Sequence, residues 1–268
     1  MPRTPDGPPP APVVQRLRIR YAKRGRLRFS SHRDFQRALE RALRRAAIPM
    51  AYSAGFSPHP RISYVNAAPT GSASEAEYVE IALTQRRDPD QVRTQLNSAL
   101  PTGLDLLDVV EAGGGSLPER ITGSHWRIEL PGVPVEAADL AVKAFLAADE
   151  VPVERLTKDG VRTLDARPAV VKLAASQADE GPYAILRLVV RHGTPSVRPD
   201  DVMTGLRRVA DLAPPLPPLV TRLAQGTLDE ESGQVADPLL PDRAGLHPAR
   251  GEAATGGFTT GFRWTELR

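Results

Sequence analysis

Cysteine is absent from the 268 residues of the sequence. Without thiolates the chain has no disulfide framework, thiolate zinc site, cysteine nucleophile or iron–sulfur cluster of its own. Any redox or radical chemistry in which the chain takes part therefore has to come from a partner. We expect the chain itself to carry no cofactor and no metal.

Long apolar runs are absent as well. No stretch approaches the roughly 18 apolar residues of a membrane-spanning helix, and the start MPRTPD lacks the apolar centre of a secretory signal. The sequence has no P-loop, dinucleotide-binding fingerprint, nucleophile elbow or HExxH motif. We therefore expect a cytoplasmic protein without a membrane partner.

Positive charge is concentrated in one segment of the chain. The net charge is only +3, but residues 13–66 contain 13 Lys and Arg against two acids, Asp34 and Glu40, a local balance of +11. Residues 67–268 carry 21 basic and 29 acidic side chains, a balance of −8. Concentrated positive charge favours a polyanionic partner, since it attracts phosphates and releases their counterions. The alternative is a solvated face that only keeps the protein soluble.

Composition divides the chain into two halves. The strongest internal break is residues 112–118, AGGGSLP, because three consecutive glycines favour neither helix nor strand. Proline-rich and glycine-rich ends predict unstructured termini. We therefore expect a disordered arm over 1–12, a basic first domain over 13–111, a linker over 112–123, a second domain over 124–235 and a flexible tail over 236–268.

The first half begins with the alternation of a half-buried strand. Leu17, Ile19 and Tyr21 alternate with arginines, and Leu27 and Phe29 continue the alternation after a bulge or turn at residue 25. A helix follows, with Ser31 as N-cap and Asp34 at the third helical position. Its apolar stripe runs from residue 35 to residue 47, before a proline.

The order of elements predicts an α+β fold. Both halves have the pattern β-α-β-β-α-β, which is the ferredoxin-like unit, so we expect two such units in tandem. The pattern P-D-x-V-x-T-x-L occurs at 89–96 and again at 199–206, 110 positions apart and at the same place in each unit. A coincidence of residues common at helix starts is the alternative.

The loop over residues 52–64 is the densest unusual segment. Prolines on both sides of His59 stiffen a loop that also carries Phe56 and Arg61, a combination suited to stacking on an unpaired base and gripping its phosphate. The alternative is a proline-fixed turn whose Phe56 fills the core. The candidate RNA-binding residues are Arg16, Arg18, Arg20, Lys23, Arg26, Arg28, Arg37, Arg41, Arg44, Arg45, Phe56, His59 and Arg61.

Two histidines are candidates for catalysis. His32 and His59 would form a metal or acid–base cluster with Asp34 if the loop folds back over the helix. The alternative assigns Asp34 to helix capping and His32 to solvent.

Four stretches of the chain resemble the radical-SAM-associated family of uncharacterised bacterial proteins. They are RIRYAKRGRLRFSSHRD at 18–34, RALRRA at 41–46, YSAGFSPHPR at 52–61 and SEAEY at 74–78. The resemblance covers about residues 14–225, and the family pattern has Leu where Arg33 stands here. It implies an accessory protein that acts with a separate radical SAM enzyme, in the modification of a structured RNA. It carries over no catalytic residue.

Three hypotheses follow. In the first, a non-catalytic RNA-binding or adaptor protein presents RNA to the radical SAM enzyme, which needs the three cysteines that this chain lacks. In the second, the chain is a metal-independent endoribonuclease of the tandem ferredoxin-like type, with His32 or His59 as acid or base, helped by Lys23 or Tyr21. In the third, the arginines dock an acidic surface of the partner enzyme.

Overall fold

The computed structural model describes residues 10–157 and 160–244. The chain is a mixed α+β protein with antiparallel strand pairing and few helices, and it divides into two compact units. Within the described residues, unit 1 comprises 10–118 and 239–244, and unit 2 comprises 119–238 without 158–159. Most of the predicted arm and residues 245–268 of the predicted tail lie outside the described residues.

Residues 10–118 of unit 1 form a four-stranded antiparallel sheet with two α-helices. The elements are β1 (Gln15–Lys23), α1 (His32–Arg45), β2 (Ile62–Val65), β3 (Ala73–Leu83), α2 (Pro89–Ala99) and β4 (Leu104–Glu111). The sheet has the order β4-β1-β3-β2, with Ile19 of β1 opposite both Val79 and Val109. Leu17, Ile19 and Tyr21 pack into one core with the buried faces of both helices.

The start of α1 follows from a local capping box. The Ser31 hydroxyl oxygen accepts from the Asp34 backbone N–H at 3.2 Å, and the Asp34 carboxylate accepts from the Ser31 backbone N–H at 3.0 Å. These bonds satisfy donors that a helix start leaves open. The predicted N-cap and third helical residue are therefore confirmed.

The predicted continuation of the first strand beyond residue 25 is wrong. Gly25–Phe29 forms a 3-10 turn, which Gly25 enters with a φ of 54°. Phe29 is exposed rather than packed inward. Alternation over five residues does not distinguish a strand from a tight turn, because hydrogen bonding to a neighbouring strand decides the difference.

Unit 2 has its own antiparallel sheet and two longer helices. The elements are β5 (Gly123–Leu130), α3 (Val135–Ala147), β6 (Pro152–Thr157), β7 (Gly160–Asp165), β8 (Val170–Gln177), β9 (Ala184–Arg191), α4 (Pro199–Ala210), β10 (Leu219–Asp229) and β11 (Gln234–Ala236). The sheet has the order β10-β5-β9-β8, with β11 beside β10. A separate hairpin, β6–β7, was not predicted from the sequence. Three-residue 3-10 turns lie at Pro118–Arg120 and Arg167–Ala169.

The repeated sequence pattern has the same local structure in both units. Its copies begin α2 and α4, each with the proline in the first turn. Thr94 donates to the Asp90 carbonyl at 2.9 Å, and Thr204 donates to the Asp200 carbonyl at 2.9 Å. The valine and leucine of each copy are fully buried.

Part of the segment predicted as a flexible tail is folded in unit 1. Residues Leu240–Ala244 form a short helix, α5. Leu239 is fully buried, and the Asp242 carboxylate accepts hydrogen bonds from Arg18 and from the Gly113 backbone N–H. A buried carboxylate with a distant partner leaves no trace in local composition, so the sequence pattern missed this anchoring.

The buried His125 of β5 makes unit 2 sensitive to acid. Burial, and then the charge of Arg187, lower the pKa of His125 from 6.5 to about 4. Its neutral form therefore stabilises the fold fully above pH 6.5, and this stability is lost as the pH falls toward 4, by about 1.4 kcal/mol per pH unit.

We expect His125→Asn to reduce the pH dependence of the free energy of unfolding across this window, measured by urea unfolding. Some slope remains from His192, whose pKa burial also lowers. His59→Asn, at an exposed position, is the control and keeps the full slope. Equal slopes in the His125 variant and the wild type would contradict the prediction.

No helix within the described ranges is long and apolar enough to cross a membrane.

Candidate nucleic-acid interface

The outer surface of α1 carries a row of exposed arginines, here called the arginine face. Its members are Arg33, Arg37, Arg41, Arg44 and Arg45. One of the two acids of the helix, Glu40, lies close to this surface, with its carboxylate 3.9 Å from Arg44 Nη1. The other acid of the helix, Asp34, is engaged at the cap, where hydrogen bonds from Ser31 lower its pKa. The arginine face is therefore strongly positive.

A hairpin loop over residues 53–59 comes after α1 in the chain. Tyr52 bridges to Pro60 at its base, Ser53 N–H donates to the His59 carbonyl at 2.8 Å, and His59 N–H donates to Ser53 Oγ at 3.0 Å. Phe56 is 71% exposed in this loop. The alternative in which Phe56 fills the core is therefore wrong.

The hairpin loop adjoins the C-terminal half of α1. A cavity of about 30 Å³ is lined by Glu40 and Arg44 on the helix and by Tyr52 and Pro60 at the base of the loop. Arg61, next in the chain, is exposed as well. The fold thus brings together the two candidate sites that the sequence placed in separate segments, the basic helix and the aromatic loop.

The candidate basic residues of β1 and the 3-10 turn have different surroundings. Arg16 is exposed but paired with Glu80 at 3.1 Å, and Arg26 is exposed. Arg20 and Arg28 are half-buried and donate to backbone carbonyls, those of Glu75 and Gly71. Lys23 is buried and donates to the carbonyls of Ala68 and Pro69. Arg28 and Lys23 therefore hold the loop before β3, and Arg20 holds the backbone of β3 itself.

Arg18 is fully buried, with 2% of its surface exposed. Its guanidinium pairs with Asp242 at 2.8 Å and with Glu80 at 3.0 Å, and it donates to the carbonyls of Gly114 and Gly115. Burial alone would lower the pKa of Arg18, but the hydrogen bonds to Glu80 and Asp242 raise it overall. Arg18 therefore remains charged, and its donors are engaged inside unit 1.

The two candidate catalytic histidines have different surroundings. The His32 ring packs edge-on against the Tyr64 ring, with 4.8 Å between the ring centroids, and lies beside Gln36. His59 is held in the hairpin loop by its backbone N–H, which donates to Ser53 Oγ. Within residues 10–157 and 160–244, no three His, Asp or Glu side chains come together in a way that could hold a metal ion. Lys23 and Tyr21, the helpers of the nuclease hypothesis, are both buried.

Phe29 is a further candidate site residue, which sequence reasoning missed. It is 67% exposed at the end of the 3-10 turn, and the Arg28 guanidinium lies 5.7 Å from its ring centroid. Its alternation with arginines indicated a buried strand residue. The signal that could have found it is its position two residues before the N-cap of α1, in the connection between β1 and the helix.

On an α+β framework, the site combines a basic helix with exposed aromatic rings. The chain belongs to a family of uncharacterised proteins conserved in bacteria (DUF2344), whose model matches residues 16–199. No curated protein matches the chain.

Two solved structures show weak similarity. The encapsulated DyP-type peroxidase from Mycobacterium smegmatis is 10% identical, with a TM-score of 0.21, over 81% of this chain and 92% of that chain. DyPB from Rhodococcus jostii RHA1 is 10% identical, with a TM-score of 0.17, over 74% of this chain and 84% of that chain. At these TM-scores neither structure bears on the fold or the function of this chain.

Proposed function

We propose that the chain is an accessory RNA-binding protein that presents RNA to a separate radical SAM enzyme. The observation that carries the RNA half is the arginine face beside the hairpin loop. The enzyme half rests on the resemblance of the four sequence stretches and on the absence of cysteine. Co-purification from the native bacterium, after nuclease treatment, with an iron–sulfur enzyme that cleaves S-adenosylmethionine tests that half. Recovery of the chain without such an enzyme contradicts it.

Charge supports the RNA half. Five exposed arginines lie along 14 residues of helix, and one acid lies within 4 Å of one of them. Phosphates that pair with such a surface release counterions, which supplies most of the sequence-independent affinity for a nucleic acid. Guanidinium groups also bind phosphate in a bidentate way.

We also propose that both units are ferredoxin-like. The order β-α-β-β-α-β in unit 1, the matching strand orders β4-β1-β3-β2 and β10-β5-β9-β8, and the repeated helix start support this proposal. The hairpin β6–β7 would then be an insertion between the first helix and the second strand of unit 2.

The double variant Arg37→Gln/Arg41→Gln tests RNA binding. Each phosphate contact to a single strand contributes a salt slope of about 0.7, so two lost contacts reduce the slope by about 1.4 and the affinity about 25-fold at 0.1 M salt. Both side chains are exposed, so the fold is expected to tolerate the change. Fluorescence anisotropy with a labelled RNA over a series of salt concentrations measures both effects.

The matched control is Arg162→Gln/Arg207→Gln, which removes two exposed arginines of unit 2. We expect this control to keep nearly wild-type affinity and slope. Equal behaviour of the two double variants would contradict the assignment of the arginine face. A polyglutamate peptide that binds more tightly than RNA, and loses affinity in the Arg37/Arg41 variant, would favour docking of an acidic protein surface instead.

A further inference from the structure

Among the described residues, the largely exposed aromatic rings all belong to unit 1. Within residues 10–157 and 160–244, the aromatic side chains that are largely exposed are Phe29, Tyr52 and Phe56, at 67%, 42% and 71%. Phe29 precedes α1 in the chain, Tyr52 lines a cavity with Arg44 of α1, and Phe56 is in the loop that starts after Tyr52. Single exposed apolar residues are ordinary. Three exposed aromatic rings in the same unit as a basic helix, however, combine apolar ring faces with positive charge.

Phe29 and Tyr52 lie toward opposite ends of α1. Phe29 comes two residues before the N-cap Ser31. Tyr52, at the base of the hairpin loop that carries Phe56, lines a cavity with Arg44 of the last turn. The arginine face therefore lies between Phe29, before the start of the helix, and the base of the hairpin loop that carries Phe56, near the last turn.

We propose that this surface binds single-stranded RNA, with phosphates along the arginine face and unpaired bases stacked on Phe29 and Phe56. The inference rests on the proposed RNA binding and names the kind of RNA. A duplex keeps its bases stacked inside and offers phosphates alone, whereas a single strand offers free base faces to aromatic rings. The Arg28 guanidinium beside Phe29 adds a charge close to one stacking position.

The length of α1 sets the expected size of the site. Fourteen helical residues span about 21 Å, at about 1.5 Å per residue. A stacked strand rises about 3.4 Å per nucleotide and therefore covers this span with about six nucleotides. Affinity for oligouridines should rise with length up to about this size and level off beyond it.

Binding of oligouridines of increasing length and of a 12-base-pair RNA duplex, each by the full chain, tests the inference. We expect Phe29→Ala and Phe56→Ala each to weaken binding of the 12-nucleotide single strand roughly tenfold and to leave the duplex unaffected. Phe29→Trp and Phe56→Trp keep a stacking surface and should retain affinity. Leu140→Ala, at a residue of unit 2 with 67% exposure, is the matched control and should change neither.

Two other outcomes separate the inference from the proposal beneath it. One outcome is that the duplex and the single strand bind equally well, that the phenylalanine variants keep wild-type affinity and that the Arg37/Arg41 variant loses affinity. This outcome would overturn the single-strand inference and leave RNA binding in place. Failure of both RNAs to bind at 0.1 M salt would overturn both.

Discussion

Asp242→Ala is expected to lower the free energy of unfolding by about 3 kcal/mol. The variant leaves the guanidinium of Arg18 buried without its closest carboxylate, and breaking a buried ion pair from one side typically costs about 3–5 kcal/mol. We expect the lower end of this range because Glu80 still lies 3.0 Å from Arg18 Nε. The Gly113 backbone N–H also loses its acceptor.

Urea unfolding measures the total effect, and hydrogen exchange of the amides in β1 and β4 assigns it to unit 1. Asp90→Ala is the matched control, since Asp90 pairs with Arg93 at 3.1 Å but is 83% exposed. Exposed pairs of this kind contribute only a few tenths of a kcal/mol. Equal small losses in the two variants would show that Arg18 does not depend on Asp242.

This result would also decide the role of Arg18 in the proposed interface. An arginine whose charge is satisfied inside unit 1 cannot contact a phosphate without breaking its ion pairs. Arg18 would then belong to the framework that holds β1 and α5, and the proposed phosphate contacts would be made by the arginine face.

Gly226→Ala is expected to destabilise the protein by about 3 kcal/mol. A Cβ on Gly226 of β10 would overlap the carbonyl oxygen of Ala236 and lie 3.1 Å from Pro238 Cδ. The obstacle is the backbone of β11, which has no alternative rotamer, so the two segments must move apart. Overpacking that forces backbone shifts costs about 1–3 kcal/mol, and the direct overlap places this site at the upper end.

Thermal and urea unfolding of Gly226→Ala against the wild type measure this loss. Gly193→Ala is the matched control in the same unit, because the nearest atom to its added Cβ is the Pro195 carbonyl oxygen at 4.0 Å. It should change stability by less than about 1 kcal/mol. A Gly226 variant as stable as the Gly193 variant would mean that β11 does not pair closely with β10.

Several elements could be predicted because their causes lie within one or two turns of chain. The capping box of Ser31 and Asp34 is a local pattern, and the structure confirms it. The apolar stripe is confirmed from Phe35 to Leu43, whereas the helix ends at Arg45 and Ala47 is exposed. The repeated pattern at 89–96 and 199–206 is also local, and each copy lies at the start of a helix. The hairpin β6–β7 was missed because residues 152–165 show little apolar alternation, and its burial is slight.

The sequence by itself determined the α+β composition, the amphipathic helix α1 and the concentration of positive charge in residues 13–66. It also marked the loop that carries Phe56. Only the tertiary structure decided which cations face solvent, because the partner that neutralises Arg18 lies 224 positions away in the sequence. It also decided that Phe29 is exposed and that the loop adjoins α1. Burial and pairing depend on contacts between distant segments, whereas capping and helical periodicity depend on neighbours.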